Sequence, residues 1–181
     1  MRTVLVVLVL SAISAPLVER ARGQSPARGA AATPLTPRVQ ANLAQLMKGT
    51  LYPASNVIFA AQDQNPADVT RAKDPNMATD LLASSYGRWE AVENSALAIA
   101  EVANLLTLPG RKCANGLDVP LKNADWAKFV QELQEAGMTA YAVAQTKNQD
   151  KMLDVAELMT TACKNCHDKY RDKSKLANRC K

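Results

Sequence analysis

Apolar residues recur at intervals of three and four in four stretches of the chain, which is the spacing of one face of an α-helix. The stretches cover residues 39–58, 82–106, 126–144 and 152–170. No strand pattern leads into the last of them. The pattern predicts an all-α fold, and four helices joined partly by short connections favour an antiparallel four-helix bundle.

The start of the first helix is predicted from its capping residues. Thr36 can cap a helix whose first residue is Pro37, a position where proline is favoured. Pro53 lies inside the apolar pattern of the same helix. Because proline lacks an N–H and its ring crowds the preceding turn, we expect a kink or a break one turn before Pro53.

The ends of the middle helices follow from prolines, glycines and caps. We expect Pro75 to begin the second helix, with an interruption near Gly87, and residues 109–110, Pro-Gly, to end it. Asn123 or Asp125 opens the third helix. Since the fourth helix runs from about residue 151 to beyond residue 170, residues 111–122 form a long loop.

The first residues of the chain are typical of an exported protein. Arg2 precedes an apolar run at residues 4–10, and small residues and a polar stretch follow. We interpret residues 1–23 as a signal peptide, cleaved near Ala15 or before Gln24. A retained membrane anchor is the alternative, although the run is short for a bilayer span.

The composition changes twice after the apolar run. Residues 24–35 have the composition of a flexible linker, so we expect the folded domain at residues 36–181, with no membrane span in the mature chain. Removal of the first 23 residues lowers the formal charge from +5 by two, to +3. This small basic excess lacks interleaved aromatic residues, so it does not favour a nucleic-acid partner.

Residues 163–167 read Cys-Lys-Asn-Cys-His, which is the signature of covalent c-type haem attachment. Cys163 and Cys166 can each form a thioether to a haem vinyl group, and His167 can bind the iron as proximal ligand. A structural zinc half-site and a thioredoxin-like redox pair are the alternatives. We predict one covalent haem c on the C-terminal helix.

His167 is the only histidine in the chain. A second histidine ligand from the same chain is therefore excluded, as is a catalytic pair based on another histidine. The sixth iron position must be taken by methionine or a weaker donor, or be vacant. We expect the protein not to be an enzyme.

Two further cysteines, Cys113 and Cys180, remain once the haem has taken two thiols. In an exported protein, two spare cysteines favour a disulfide that ties the C-terminal tail to the long loop. Free thiols are the alternative.

The motif continues as His-Asp-x-Tyr-Arg on the last predicted helix, and this resembles the class II cytochromes c, meaning cytochrome c′ and its low-spin relatives. A looser similarity lies in residues 46–48, Leu-Met-Lys, and the following Pro53. Residues 89–94 and 109–113 differ from a standard cytochrome c′, so the chain resembles an uncharacterised branch of the family. The resemblance implies a periplasmic electron-transfer protein with an unidentified redox partner, in a family where helix-packed homodimers are frequent.

In this family a residue of the first helix covers the distal face of the haem. The resemblance makes Met47 the candidate distal iron ligand, with Met77 and Met138 as alternatives, because Met152 and Met159 share a helix with His167. A methionine at helical spacing is often simply part of the core. If the helix is shifted by one turn, Leu43 or Leu51 would face the iron, as in a five-coordinate protein that binds NO or CO.

Cytochrome c′ carries an arginine four residues before the distal position, where this chain has Leu43. That departure favours the Met-ligated branch. A haem subunit of a larger oxidoreductase is a third interpretation.

Three further residues are candidate haem contacts. The family resemblance places Arg171 near the proximal pocket, although a solvated cation at a helix end is equally typical. Tyr170 and Trp89 can pack against the porphyrin or simply belong to the core.

Overall fold

The computed structural model describes residues 38–181. The predicted signal peptide, the linker and the Thr36 cap lie outside these residues. Within them the chain is mostly helical and has no β-strand, only an isolated bridge between Lys112 and Asp118. The all-α prediction is therefore confirmed for this part of the chain.

The first long helix consists of α1 (Leu43–Leu46), a π-helical turn (Met47–Leu51) and α2 (Tyr52–Asp63), which follow one another without a gap. We call residues 43–63 the first helix. It begins at Leu43, and residues 38–42 before it are not helical, so the predicted start was wrong. The reason is a capping box, in which the Asn42 side chain accepts from the Gln45 N–H and the Gln45 side chain accepts from the Asn42 N–H, both at 2.9 Å.

The π-helical turn lies where the sequence predicts a kink. Pro53 has no N–H to donate to the Gly49 carbonyl, four residues before it, and the proline ring crowds that carbonyl. Instead, the N–H of Tyr52 donates to the carbonyl of Met47, five residues back. The helix thus passes Pro53 by widening one turn rather than by breaking.

The next long helix, α3, spans Trp89–Leu105, so the prediction that it starts at Pro75 was wrong. Residues 64–88 instead contain three short 3₁₀ turns: Pro66–Asp68, Pro75–Met77 and Leu81–Ala83. The chain folds back tightly at Gly87, where a Cβ atom would lie 2.3 Å from the Leu82 carbonyl oxygen. Arg88 then has a φ of 61°, which is incompatible with continuing a right-handed helix.

The last two helices are α4 (Ala124–Thr146) and α5 (Met152–Tyr170), followed by a 3₁₀ turn at Leu176–Asn178. The four long helices pack against one another around one core, whose largest fully buried side chains include Ile58, Ile99, Trp126, Met152 and Met159. Complete burial of a large apolar side chain contributes about 1.5–3 kcal/mol. Within residues 38–181, no helix has the length and apolarity needed to cross a bilayer.

Candidate functional site

Helix α5 presents the Cys-x-x-Cys-His motif to a cavity of about 770 Å³ with a mostly apolar wall. Cys163, Cys166 and His167 stand at positions i, i+3 and i+4, so they share one face of the helix. All three are half-buried, and all three line the cavity. Pockets that hold organic ligands and cofactors have volumes of roughly 300–1,000 Å³.

The first helix forms another part of the cavity wall. Leu43, Met47, Lys48 and Leu51 line it, with Met47 half-buried at the start of the π-helical turn. The structure therefore brings together the predicted attachment residues and the predicted distal residue. Lys48 is an additional wall residue that the sequence pattern did not single out.

The other methionines lie elsewhere or on the motif helix. Met77 and Met138 are 77% and 46% exposed, and neither lines the cavity. Met159 lines it but belongs to α5, two turns before His167. Among the described methionines, Met47 is thus the one that reaches the cavity from a different helix than His167.

Aromatic packing holds the C-terminal end of α5 against the N-terminal part of α4. The Tyr170 ring meets Trp126 and Phe129 edge-on, with centroid distances of 5.1 and 6.3 Å. Its hydroxyl donates to Asp125 at 2.5 Å and accepts from the Asn123 amide at 3.1 Å. Because Tyr170 lies three residues after His167, these contacts also restrain the motif.

The two residues between the cysteines face different surroundings. The Asn165 amide donates to Glu132 of α4 at 3.0 Å, which adds a second link between the helices. Lys164 is exposed and forms an ion pair with Asp168 one turn later. Cys163 and Cys166, on either side of these two residues, line the cavity.

Arg171 and Trp89 differ in their relation to the cavity. Arg171 lines it, and its guanidinium donates two hydrogen bonds to Asp172, at 2.6 and 3.1 Å. This pair raises the pKa of Arg171 and lowers the pKa of Asp172. Trp89 is buried at the start of α3 and does not line the cavity, so the prediction that it contacts the haem finds no support in its position.

Burial controls the protonation of the motif. It raises the pKa of the Cys163 thiol, and together with Cys163 and Asp125 it raises the pKa of Cys166 to about 12. Both thiols are therefore protonated at neutral pH, whereas reactive Cys-x-x-Cys redox pairs have a lowered thiol pKa. Burial, followed by the nearby Arg171 charge, lowers the pKa of His167, which favours the neutral imidazole that binds metals.

A disulfide between Cys113 and Cys180 forms another part of the cavity wall. In the same loop as Cys113, Arg111 is buried and donates to the carbonyls of Leu105 at 3.0 Å and Ala41 at 2.6 Å. The sequence gives no sign of this role, because an arginine in a polar loop is usually solvated.

Comparison with known proteins finds no matching family model, no matching curated protein and no matching solved structure. Within residues 38–181, no three His, Cys, Asp or Glu side chains are arranged to hold a metal ion by themselves. Function is therefore inferred from the chemistry of the cavity-lining residues.

Proposed function

We propose that this chain is an exported monohaem c-type cytochrome that transfers electrons, a member of the class II cytochromes c with an antiparallel four-helix bundle. One observation carries the proposal: Cys163, Cys166 and His167 on α5 line the same cavity as Met47 on the first helix. The volume and apolar wall of this cavity suit a flat, largely apolar cofactor.

Each residue of the set has a defined chemical role. Cys163 and Cys166 would hold the haem, because each S–H could add across one vinyl C=C to give a thioether with no leaving group. The neutral imidazole of His167 and the thioether of Met47 would each offer a lone pair to the iron. A bound haem supplies an iron that accepts and returns one electron.

The remaining wall residues adjust the site for electron transfer. The apolar side chains exclude water, and a Met/His ligand pair raises the reduction potential relative to two histidines. Arg171, which Asp172 holds by two hydrogen bonds, would offer a cation to a haem propionate.

A second candidate function is the binding of small gases by five-coordinate iron. The observation that favours it is that Leu43 and Leu51 line the same wall as Met47, one turn to either side. If either leucine covered the iron, the sixth position would stay open.

The test is a spectrum of the chain expressed with a c-type haem attachment system. We expect one covalent haem per chain and a ferric low-spin spectrum with a thioether-to-iron charge-transfer band. Met47→Leu should remove the band and give a high-spin ferric iron. Met138→Leu, which changes an exposed methionine outside the cavity, is the matched control and should keep the band.

Three outcomes would contradict parts of the proposal. Haem that is extracted by acid solvent would exclude covalent attachment by Cys163 and Cys166. A high-spin wild-type spectrum that Met47→Leu leaves unchanged would select the gas-binding candidate. Loss of the band in Met138→Leu but not in Met47→Leu would move the distal ligand to helix α4.

A further inference from the structure

The buried face of the first helix contains an irregular step. In a regular α-helix, residues on one face recur every three or four positions. The buried apolar residues of this helix follow that rule after Leu51, but the step from Leu46 to Leu51 is five; the full set is Leu46, Leu51, Ala54, Val57, Ile58 and Ala61. The π-helical turn therefore holds one residue more than an α-helical turn.

This extra residue determines where Met47 lies. Counting back four residues from the buried Leu51, a regular helix would place Met47 on the core-facing stripe. With five residues in the turn, Leu46 takes that place and is only 9% exposed. Met47 is rotated about 100° further around the axis, half-buried, where it lines the cavity.

The structural cause of the wide turn is Pro53. Pro53 has no N–H to donate to the Gly49 carbonyl, and its ring would clash with that carbonyl in a regular α-helix. The Tyr52 N–H instead bonds the Met47 carbonyl, which is the bond that closes a π-helical turn.

We propose that Pro53 is a positioning residue, which holds the π-helical turn open and thereby presents Met47, rather than Lys48, to the haem. This inference rests on the proposed function above. It goes beyond that function by assigning the distal ligand's placement to a residue that does not itself line the cavity.

The test replaces Pro53 by alanine in the haem-loaded protein. In Pro53→Ala, residue 53 regains an N–H for the Gly49 carbonyl, so the turn can close to α-helical register. The residues before the turn then rotate around the helix axis by one residue, so that Lys48 takes the place of Met47 at the cavity. We expect loss of the thioether-to-iron charge-transfer band and weaker labelling of Lys48 by an amine-reactive ester, relative to the exposed Lys151.

A second variant tests the register directly. Deleting Gly49 in the Pro53→Ala background removes the extra residue, so a regular α-helix again presents Met47. Gly49 is exposed and has no side chain, and a Cβ atom added there would meet nothing within 4 Å, so the deletion removes no side chain from the core. We expect the band and the Lys48 labelling of the wild type to return. Pro75→Ala, in a 3₁₀ turn outside the cavity wall, is the matched proline control and should keep the charge-transfer band and the wild-type labelling of Lys48.

The outcomes separate this inference from the proposed function. If the wild type lacks the charge-transfer band, Met47 is not an iron ligand and that part of the proposed function is refuted. The role of Pro53 is then decided by labelling alone: weaker labelling of Lys48 in Pro53→Ala supports it, and unchanged labelling overturns it. A folded Pro53→Ala that keeps the wild-type band and labelling overturns the inference. If Pro53→Ala does not fold, the deletion variant decides: a folded protein with wild-type labelling supports the inference, and altered labelling overturns it.

Discussion

Tyr170 shows how one side chain can restrain a functional motif through both its ring and its hydroxyl. It is 3% exposed, packs edge-on against Trp126 and Phe129, and bonds Asp125 and Asn123. Since it follows His167 by three residues on α5, these contacts hold the end of the helix that carries the imidazole. The sequence motif indicated this tyrosine as a candidate haem contact, and the structure places it on the cavity wall with a hydrogen-bonded role of its own.

Tyr170→Phe keeps the ring contacts and removes only the hydroxyl. Because Asp125 and Asn123 then lose a partner at a partly buried position, we expect the free energy of unfolding to fall by about 1–3 kcal/mol. Urea unfolding followed by circular dichroism measures the change. Tyr52→Phe is the matched control, since Tyr52 is 66% exposed, and should be close to wild type. Equal losses in both variants would refute the role of the buried hydroxyl.

The same hydroxyl predicts a pH dependence. Burial, and then the hydrogen bond to Asp125, raise the pKa of Tyr170 above its ordinary value of 10.0. The folded state thus holds the phenol proton more tightly than the unfolded state, so this stabilisation is complete below about pH 10 and is lost as the pH rises through the raised pKa. The stability difference between wild type and Tyr170→Phe should therefore be constant up to about pH 9 and shrink above it. A difference that grows in alkali would contradict the assignment.

At the scale of elements, the apolar pattern predicted four helical stretches because burial of one face is a strong and local signal. The pattern did not predict where two of the helices start, because polar side chains and backbone contacts determine these starts. Asn42 and Gln45 cap the first helix later than Thr36 would, and the backbone contacts of Gly87 delay α3 until Trp89. Capping and close backbone approach depend on contacts that a periodicity count does not contain.

The candidate site also has one part that follows from the sequence and another that depends on how the helices pack. The spacing of Cys163, Cys166 and His167 at i, i+3 and i+4 places them on one face of any helix that contains them, as α5 does. The position of Met47 depends on the π-helical turn, for which Pro53 indicated only a kink. The apolar stripe contained both Leu46 and Met47, and only the packed helix shows which of the two is buried.

Helices α3 and α4 approach each other closely at Gly137. A Cβ atom there would lie 2.9 Å from the Ala100 nitrogen and 3.0 Å from the Ala96 oxygen, both backbone atoms that cannot rotate away. Gly137→Ala should therefore push the helices apart and lower the free energy of unfolding by about 1–3 kcal/mol, despite the better helix propensity of alanine. Urea unfolding measures this change in the free energy of unfolding.

Gly49→Ala is the control for this substitution. A Cβ atom at Gly49 would meet nothing within 4 Å, so the variant should be neutral or up to about 1 kcal/mol more stable. If Gly137→Ala were as stable as Gly49→Ala, the close approach of α3 and α4 would not be a constraint on the fold.

At the scale of the whole molecule, an arginine and a disulfide connect the loop between α3 and α4 to other parts of the chain. Arg111 connects this loop to the end of α3 and to the chain before the first helix. The Cys113–Cys180 disulfide connects it to the C-terminal tail, and the Cys180 N–H donates to the Tyr170 carbonyl at 2.8 Å. The loop that contributes no helix thus joins the segments before the first helix and after the last one.

The disulfide should account for a large share of the stability. It links residues 67 apart in sequence, and closing a loop of that length restricts the unfolded chain by about 4 kcal/mol in the chain-entropy description. We expect the double variant Cys113→Ser and Cys180→Ser to lose stability of this order in urea unfolding. Wild type treated with a reductant should lose a similar amount, because it lacks the same bond while keeping both sulfur atoms. In the chain without haem, where Cys163 and Cys166 are free, mass measurement after thiol blocking should show two blocked thiols before reduction and four after it. Four blocked thiols before reduction would refute the bridge.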